Sequence, residues 1–107
     1  MSHDIDISPE EFKQKIEKDR GVIIDVRTHG EYSEGHLKET DRQHDYMNGE
    51  FQQQLSSLDR DKTYYLYCRS GNRSGKAARI MKMQGFEKVY NVGGFEDLAR
   101  AGFETEK

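Results

Sequence analysis

The chain has one cysteine, Cys68, and its surroundings are of the kind that activates a thiol. In the run "TYYLYCRSGNRSGKAARIM" (Thr63 to Met81) it follows an aromatic stretch and precedes a helix-forming one. Arg69, Ser70, Gly71, Asn72 and Arg73 make the connection, and Ser74 stands at the helix start. A short loop with a central glycine, wrapped at a helix N-terminus, turns successive backbone N–H groups toward one point. Those donors, the helix dipole and the guanidinium groups of Arg69 and Arg73 favour negative charge on the Cys68 sulfur. The thiol is therefore expected to ionise below the free value, giving a nucleophile near neutral pH and a cradle for an anionic substrate. A lone cysteine is more often a packed core residue, but packing needs neither the glycine nor the arginines.

Charge is concentrated around the same residues. From Lys62 to Phe86 there is no Asp or Glu, while Lys62, Arg69, Arg73, Lys76, Arg79 and Lys82 are all basic; the first 61 residues hold 15 acids and 8 Lys or Arg. An acidic chain of net charge −3 with one basic segment at its only thiol points to a local anion site, not to nucleic-acid affinity. A single cysteine makes no internal disulfide, and no apolar run is long enough to span a membrane. A reducing, cytoplasmic setting follows as the expectation. His3, His29, His36 and His44 show neither i, i+4 pairing nor a cysteine partner, so no metal site is expected. Attack by an ionised thiol needs no cofactor.

The elements that must hold the thiol can be read from spacing. At 107 residues, with 33% apolar residues, six Tyr and five Phe, the chain is expected to form one domain over residues 1–107. "DIDIS" reads as a short strand. Ser8, Pro9 and Glu11 open a helix by a capping box, with Phe12 and Ile16 inward. "VIIDV" (Val22 to Val26), apolar on consecutive residues, predicts a strand covered on both faces. Thr28 and Glu31 form a second capping box, for a short helix ending near Gly35. Phe51, Leu55 and Leu58 share one helical face after Asn48. Strand "TYYLY" leads to Cys68, a helix runs from about Arg73 to Gln84, and strand "KVYNV" leads to Gly93-Gly94 and a last helix stopped by Gly102. Strands alternating with helices predict an α/β fold with a mainly parallel sheet, whose ligands bind beyond the carboxyl ends of the strands. Asp25 and Arg27 fall at such an end, where a salt bridge and a turn are expected, with support of the cysteine loop as the functional alternative.

Three stretches, "DVRTHGEYSEGHL" (Asp25 to Leu37), "YCRSGNRSGKAA" (Tyr67 to Ala78) and "NVGGFEDLARAGF" (Asn91 to Phe103), resemble the signatures of the single-domain rhodaneses, in that family's order and spacing. The resemblance implies the rhodanese-like three-layer architecture, a small mainly parallel central sheet flanked by helices. It also implies sulfurtransferase activity, with a sulfane sulfur carried as a persulfide on Cys68. The donor would be a small anionic sulfur compound, thiosulfate or a persulfide. The acceptor would be a thiol or cyanide, or a protein sulfur acceptor. Such sulfurtransferases typically use Cys-x4-Arg, as Cys68 to Arg73 does here; related phosphatases and arsenate reductases lengthen the loop by one residue. That phosphatase reading, and a docking or sulfur-delivery module, are the alternatives. Two positions depart from the family pattern. Lys38 to Tyr46 lacks aliphatic residues where a short apolar strand is usual, so a strand there is expected to be weak or absent. Leu98 stands where a tryptophan is common.

Overall fold

The structure is a computed structural model and describes residues 5–107, so His3 and the Asp4 that begins the expected "DIDIS" strand lie outside it. Four strands form a parallel sheet: β1 (Val22–Asp25), β3 (Arg42–Gln43), β4 (Thr63–Cys68) and β5 (Lys88–Gly94), in the order β3-β1-β4-β5. Because β1 sends the chain to one side and β4 sends it to the other, their carboxyl ends diverge at the centre of the sheet. Such a switch point is where open α/β sheets leave a crevice for a ligand. Cys68 closes β4, and Asp25 closes β1 beside it, opposite Tyr67 in the ladder.

Alternation along the strands separates two cores. Ile24, Val26, Tyr64, Leu66 and Cys68 face one layer, with Phe51, Leu55, Leu58, Ala77, Ala78 and Met81. Those partners come from α3 (Glu50–Gln54), the 3-10 turn Leu55–Ser57 with Leu58 just after it, and α4 (Asn72–Met83). Ile23, Tyr65, Tyr67 and Val92 face the other layer, with Phe12 of α1 (Pro9–Lys18) and Leu98 of α5 (Phe95–Arg100). Burial of apolar side chains on both faces is the main driving force here. It explains why "VII" and "YYLYC" are apolar or aromatic without alternation. Leu98, where the family pattern favours tryptophan, is fully buried.

Several boundaries follow from local chemistry. Ser8 caps α1 through the expected box with Glu11. Thr28 and Glu31 do the same for α2 (His29–Glu34), which stops at Gly35. The third helix differs: its N-cap is Gly49, and Asn48 instead accepts the Glu50 N–H through its side-chain oxygen at 2.9 Å. Among the described residues, "DIDIS" contributes one parallel bridge, Asp6 to Asn91. The segment Lys38 to Tyr46 is neither a core strand nor without pairing. Its Asp41, His44 and Tyr46 N–H groups donate to the carbonyls of Ile23, Asp25 and Val26 at 2.8, 3.0 and 3.1 Å, making β3 a two-residue edge strand. Backbone pairing needs no aliphatic side chain, and a short polar strand suits an exposed edge. A second, antiparallel pair joins β2 (His36–Leu37) to β6 (Thr105–Glu106), an element without a signal in the sequence. No helix of the described residues is long and apolar enough to cross a membrane.

Candidate active site

The sulfur of Cys68 sits where β4 ends and α4 begins. Gly71 is the N-cap of α4, with φ 93° in the left-handed region, and no side chain caps the helix. Glycine is needed there because a Cβ would be strained by that φ and would lie 3.3 Å from the Gly93 Cα. With no capping side chain, the first N–H groups of the helix remain available. Gly71 N–H donates to Cys68 Sγ at 3.0 Å and Ser74 N–H at 3.4 Å; the Ser74 hydroxyl lies 3.3 Å from the same sulfur. Burial pushes the Cys68 thiol up, but the Ser74 hydroxyl and the amides of Ser74, Ser70 and Gly71 outweigh it, so the thiol ionises below its ordinary value.

The structure thus brings Gly71 and Ser74 onto the sulfur, and distributes the arginines differently from expectation. Arg73 turns to Glu31 and donates two parallel hydrogen bonds, Nη1 to Oε1 at 2.9 Å and Nη2 to Oε2 at 3.0 Å. The Arg73 guanidinium beside it holds the Glu31 carboxyl down at about 2. Glu31 therefore both caps α2 and anchors α4, a pairing across 42 residues that spacing does not reveal. Arg27 is likewise engaged: Nη2 donates to Asp25 Oδ2 at 2.7 Å and to the Gly35 carbonyl at 2.6 Å, with both side chains of the ion pair almost fully buried. Neither Arg69, Asn72 nor Arg73 donates a hydrogen bond to the sulfur among the described residues. Amides and a hydroxyl hold the sulfur, not guanidinium groups.

A cleft of about 290 Å³ opens beside the loop, lined by Arg27, Glu31, Glu34, Gly35, Arg69, Phe95 and Glu96. Arg27 stacks over the Phe95 ring at 4.6 Å, which forms part of the wall. Cys68 itself is fully buried and does not line the cleft, which reaches the loop at its neighbour Arg69. The two glycines after "KVYNV" have different reasons: Gly93 takes a left-handed φ of 98°, and a Cβ on Gly94 would stand 2.5 Å from the Arg69 carbonyl oxygen. The β4–β5 register shifts between Leu66 and Tyr67 just before this contact. A bulge there re-aims the strand end beneath the loop.

Asn91 was not singled out by sequence reasoning. Its side chain, only 8% exposed, joins Asp6, the Gly71 carbonyl, the Gly93 N–H and the Ser74 hydroxyl. The available signal was one amide residue inside an otherwise apolar strand, which needs a buried partner.

Comparison with known proteins agrees with the fold. The chain matches the rhodanese-like domain over residues 8–101 and belongs to that family. It is 42% identical over 88 residues to the putative sulfur carrier protein YrkF of Bacillus subtilis (strain 168), covering 81% of this chain and 46% of that protein. The chain thus spans about half the length of that relative. It is 38% identical over 90 residues to the putative sulfurtransferase YtwF of the same organism, covering 83% of this chain and 84% of that one. Among solved structures, a rhodanese-related protein from Thermoplasma volcanium has the same fold, with a TM-score of 0.78 at 22% identity over 95% of this chain and 97% of that chain.

Proposed function

We propose that the protein is a sulfurtransferase in which Cys68 carries a sulfane sulfur as a persulfide. The observation that carries this reading is the sulfur of Cys68 accepting hydrogen bonds from the uncapped N-terminus of α4. The Cys68 thiolate attacks the outer sulfur of thiosulfate, the S–S bond of the donor breaks, and sulfite leaves with the bonding pair. With an organic persulfide the same attack releases a thiolate. The terminal sulfur of Cys68–S–S⁻ then holds the charge, stabilised by the loop amides from Arg69 to Arg73 as an oxyanion hole would stabilise oxygen. A thiolate or cyanide attacks that terminal sulfur, and the Cys68 thiolate is regenerated. Arg69, which makes no ion pair among the described residues, steers the anionic donor into the cleft. Arg73, through Glu31, and Arg27, through Asp25 and Gly35, hold the walls.

Intact mass after incubation with thiosulfate or glutathione persulfide tests the proposal. The expected result is a gain of one sulfur atom, removed by cyanide and absent in Cys68→Ser. A wild-type protein that gains no sulfur from either donor overturns it.

A further inference from the structure

The hydroxyl hydrogen of Ser74 has two claimants. Ser74 Oγ lies 3.3 Å from Cys68 Sγ and 2.7 Å from Asn91 Oδ1. A serine hydroxyl carries one hydrogen, so it serves one acceptor at a time. The orientation of the Asn91 amide is set by its other partners. Its Nδ2 donates to Asp6 Oδ1 and to the Gly71 carbonyl, both at 3.0 Å, which leaves Oδ1 as the acceptor facing Ser74 and the Gly93 N–H. Ser74 is fully buried and Asn91 nearly so, so water does not compete for this hydrogen.

We propose that Asn91 is a positioning residue for Cys68, its amide oxygen holding the Ser74 hydroxyl hydrogen while the sulfur bears a proton or an added sulfur, and yielding it when the sulfur is a bare thiolate. In the thiol form, S–H donates to Ser74 Oγ and Ser74 O–H to Asn91. On ionisation the hydroxyl turns to the sulfur. Asn91 Oδ1 then keeps the Gly93 N–H at 3.1 Å, so the turn strands no buried acceptor. Once Cys68 carries a second sulfur, charge moves to the outer atom, the inner sulfur becomes a poor acceptor, and the hydroxyl returns to Asn91. That last step rests on the sulfur-transfer reading; the ionisation step does not. The charged groups around the cluster are the Arg73–Glu31 and Arg27–Asp25 pairs, Arg69 on the loop, and Asp6 behind Asn91. Carboxylates and guanidinium groups ordinarily change charge well outside the range where a thiol titrates.

The pH dependence of Cys68 alkylation by iodoacetamide in the wild type, Asn91→Ala, Ser74→Ala and the double variant tests this. Removing the competing acceptor leaves the hydroxyl to the sulfur, so Asn91→Ala is expected to lower the midpoint by about half a pH unit, the size of one modest hydrogen bond. Ser74→Ala is expected to raise the midpoint, and in that background Asn91→Ala should add nothing. If Asn91 only braced the loop, its loss would free the Gly71 carbonyl, disorder the amides and raise the midpoint with or without the hydroxyl. A rise, or a shift that persists in Ser74→Ala, overturns the proposal. Should Asn91→Ala fail to fold, the wild type decides through the ¹³C signal of the Asn91 side-chain carbonyl. A shift that follows thiol ionisation is expected, and a signal that stays fixed through the titration overturns it. None of these arms uses a sulfur donor, so a protein that passes them and never gains sulfur loses the transfer reading alone.

Discussion

The turn that leaves β1 and the loop that leaves β4 both open onto a helix N-terminus, and they treat its free N–H groups in opposite ways. At α2 the Thr28 hydroxyl accepts the Glu31 N–H at 3.2 Å, and the Glu31 carboxylate accepts the Thr28 N–H at 3.0 Å. At α4 the N-cap is a glycine with nothing to offer, and the N–H groups of Gly71 and Ser74 go to the sulfur of Cys68, three residues before the cap. The cysteine stands in for the capping oxygen. A sulfur gains from this a set of donors that favours its charged form; the helix loses a side-chain cap of the kind that contributes about 1 kcal/mol. The first junction is arranged for stability and the second for charge on sulfur. Glu31 joins them, since the carboxylate that caps one helix also grips Arg73 of the other.

The largest break in this contrast comes from Gly71→Ala. The left-handed φ of 93° and the 3.3 Å approach to Gly93 leave no room for a methyl group without moving the loop. Stability should fall by about 1–3 kcal/mol by urea unfolding, as expected for a residue forced into that region. Sulfur loading should slow at least about tenfold, because the amides lose their aim at the sulfur. The alkylation midpoint of Cys68 should rise. An unchanged midpoint would mean that the loop amides are not what favours the thiolate.

The link between the two junctions is next. The Glu31 carboxyl lies at about 2 in the folded protein, against an ordinary 4.5, because Arg73 and Thr28 bond its charged form against the opposing effect of burial. A lowered folded value means that the stabilisation is fully present above the ordinary value and drains away as pH falls from there toward 2. The difference in unfolding free energy between wild type and Glu31→Gln should therefore be constant near neutrality, on the order of 1.5 kcal/mol for charged hydrogen bonds, and shrink below about pH 4.5. A difference that stays level down to pH 2 would show that the charge on Glu31 contributes nothing.

These two junctions also show what kinds of interaction a sequence discloses. Thr28 and Glu31, three residues apart, announce a capping box because both partners are local. Cys68, Gly71 and Ser74 are legible for the same reason: loop and helix start lie within seven residues, and the consecutive apolar runs of β1 and β4 place them at a strand end. Glu31 and Arg73 do not announce each other, being brought together only by the parallel pairing of β1 with β4. Arg73 next to the cysteine thus reads as an anion ligand, and only the fold shows its charge already matched. Asn91 is hidden in the same way, since its partners come from the N-terminal segment, the loop and α4. The edge strand β3 and the pair β2–β6 rest on backbone hydrogen bonds, which leave little trace in side-chain periodicity.

The smallest effect, and the sharpest separation of the two junctions, is expected from Thr28→Ala. Loss of the hydroxyl removes the acceptor for the Glu31 N–H and one partner of the Glu31 carboxylate, the bond between Thr28 Oγ1 and Glu31 Oε1 at 3.2 Å. The Thr28 N–H still donates to that carboxylate, and Arg73 still holds both of its oxygens. The helix should therefore lose the ordinary value of a side-chain cap, about 1 kcal/mol by urea unfolding. The Cys68 alkylation midpoint should stay where it is, because the sulfur's donors come from the other N-terminus. Ser74→Ala should do the reverse, moving the midpoint far more than the stability expected of a capping residue. If instead Thr28→Ala shifts the thiol as much as Ser74→Ala does, the two helix starts act as one unit through Glu31 and Arg73, and the division between a stabilising junction and a charge-holding one fails.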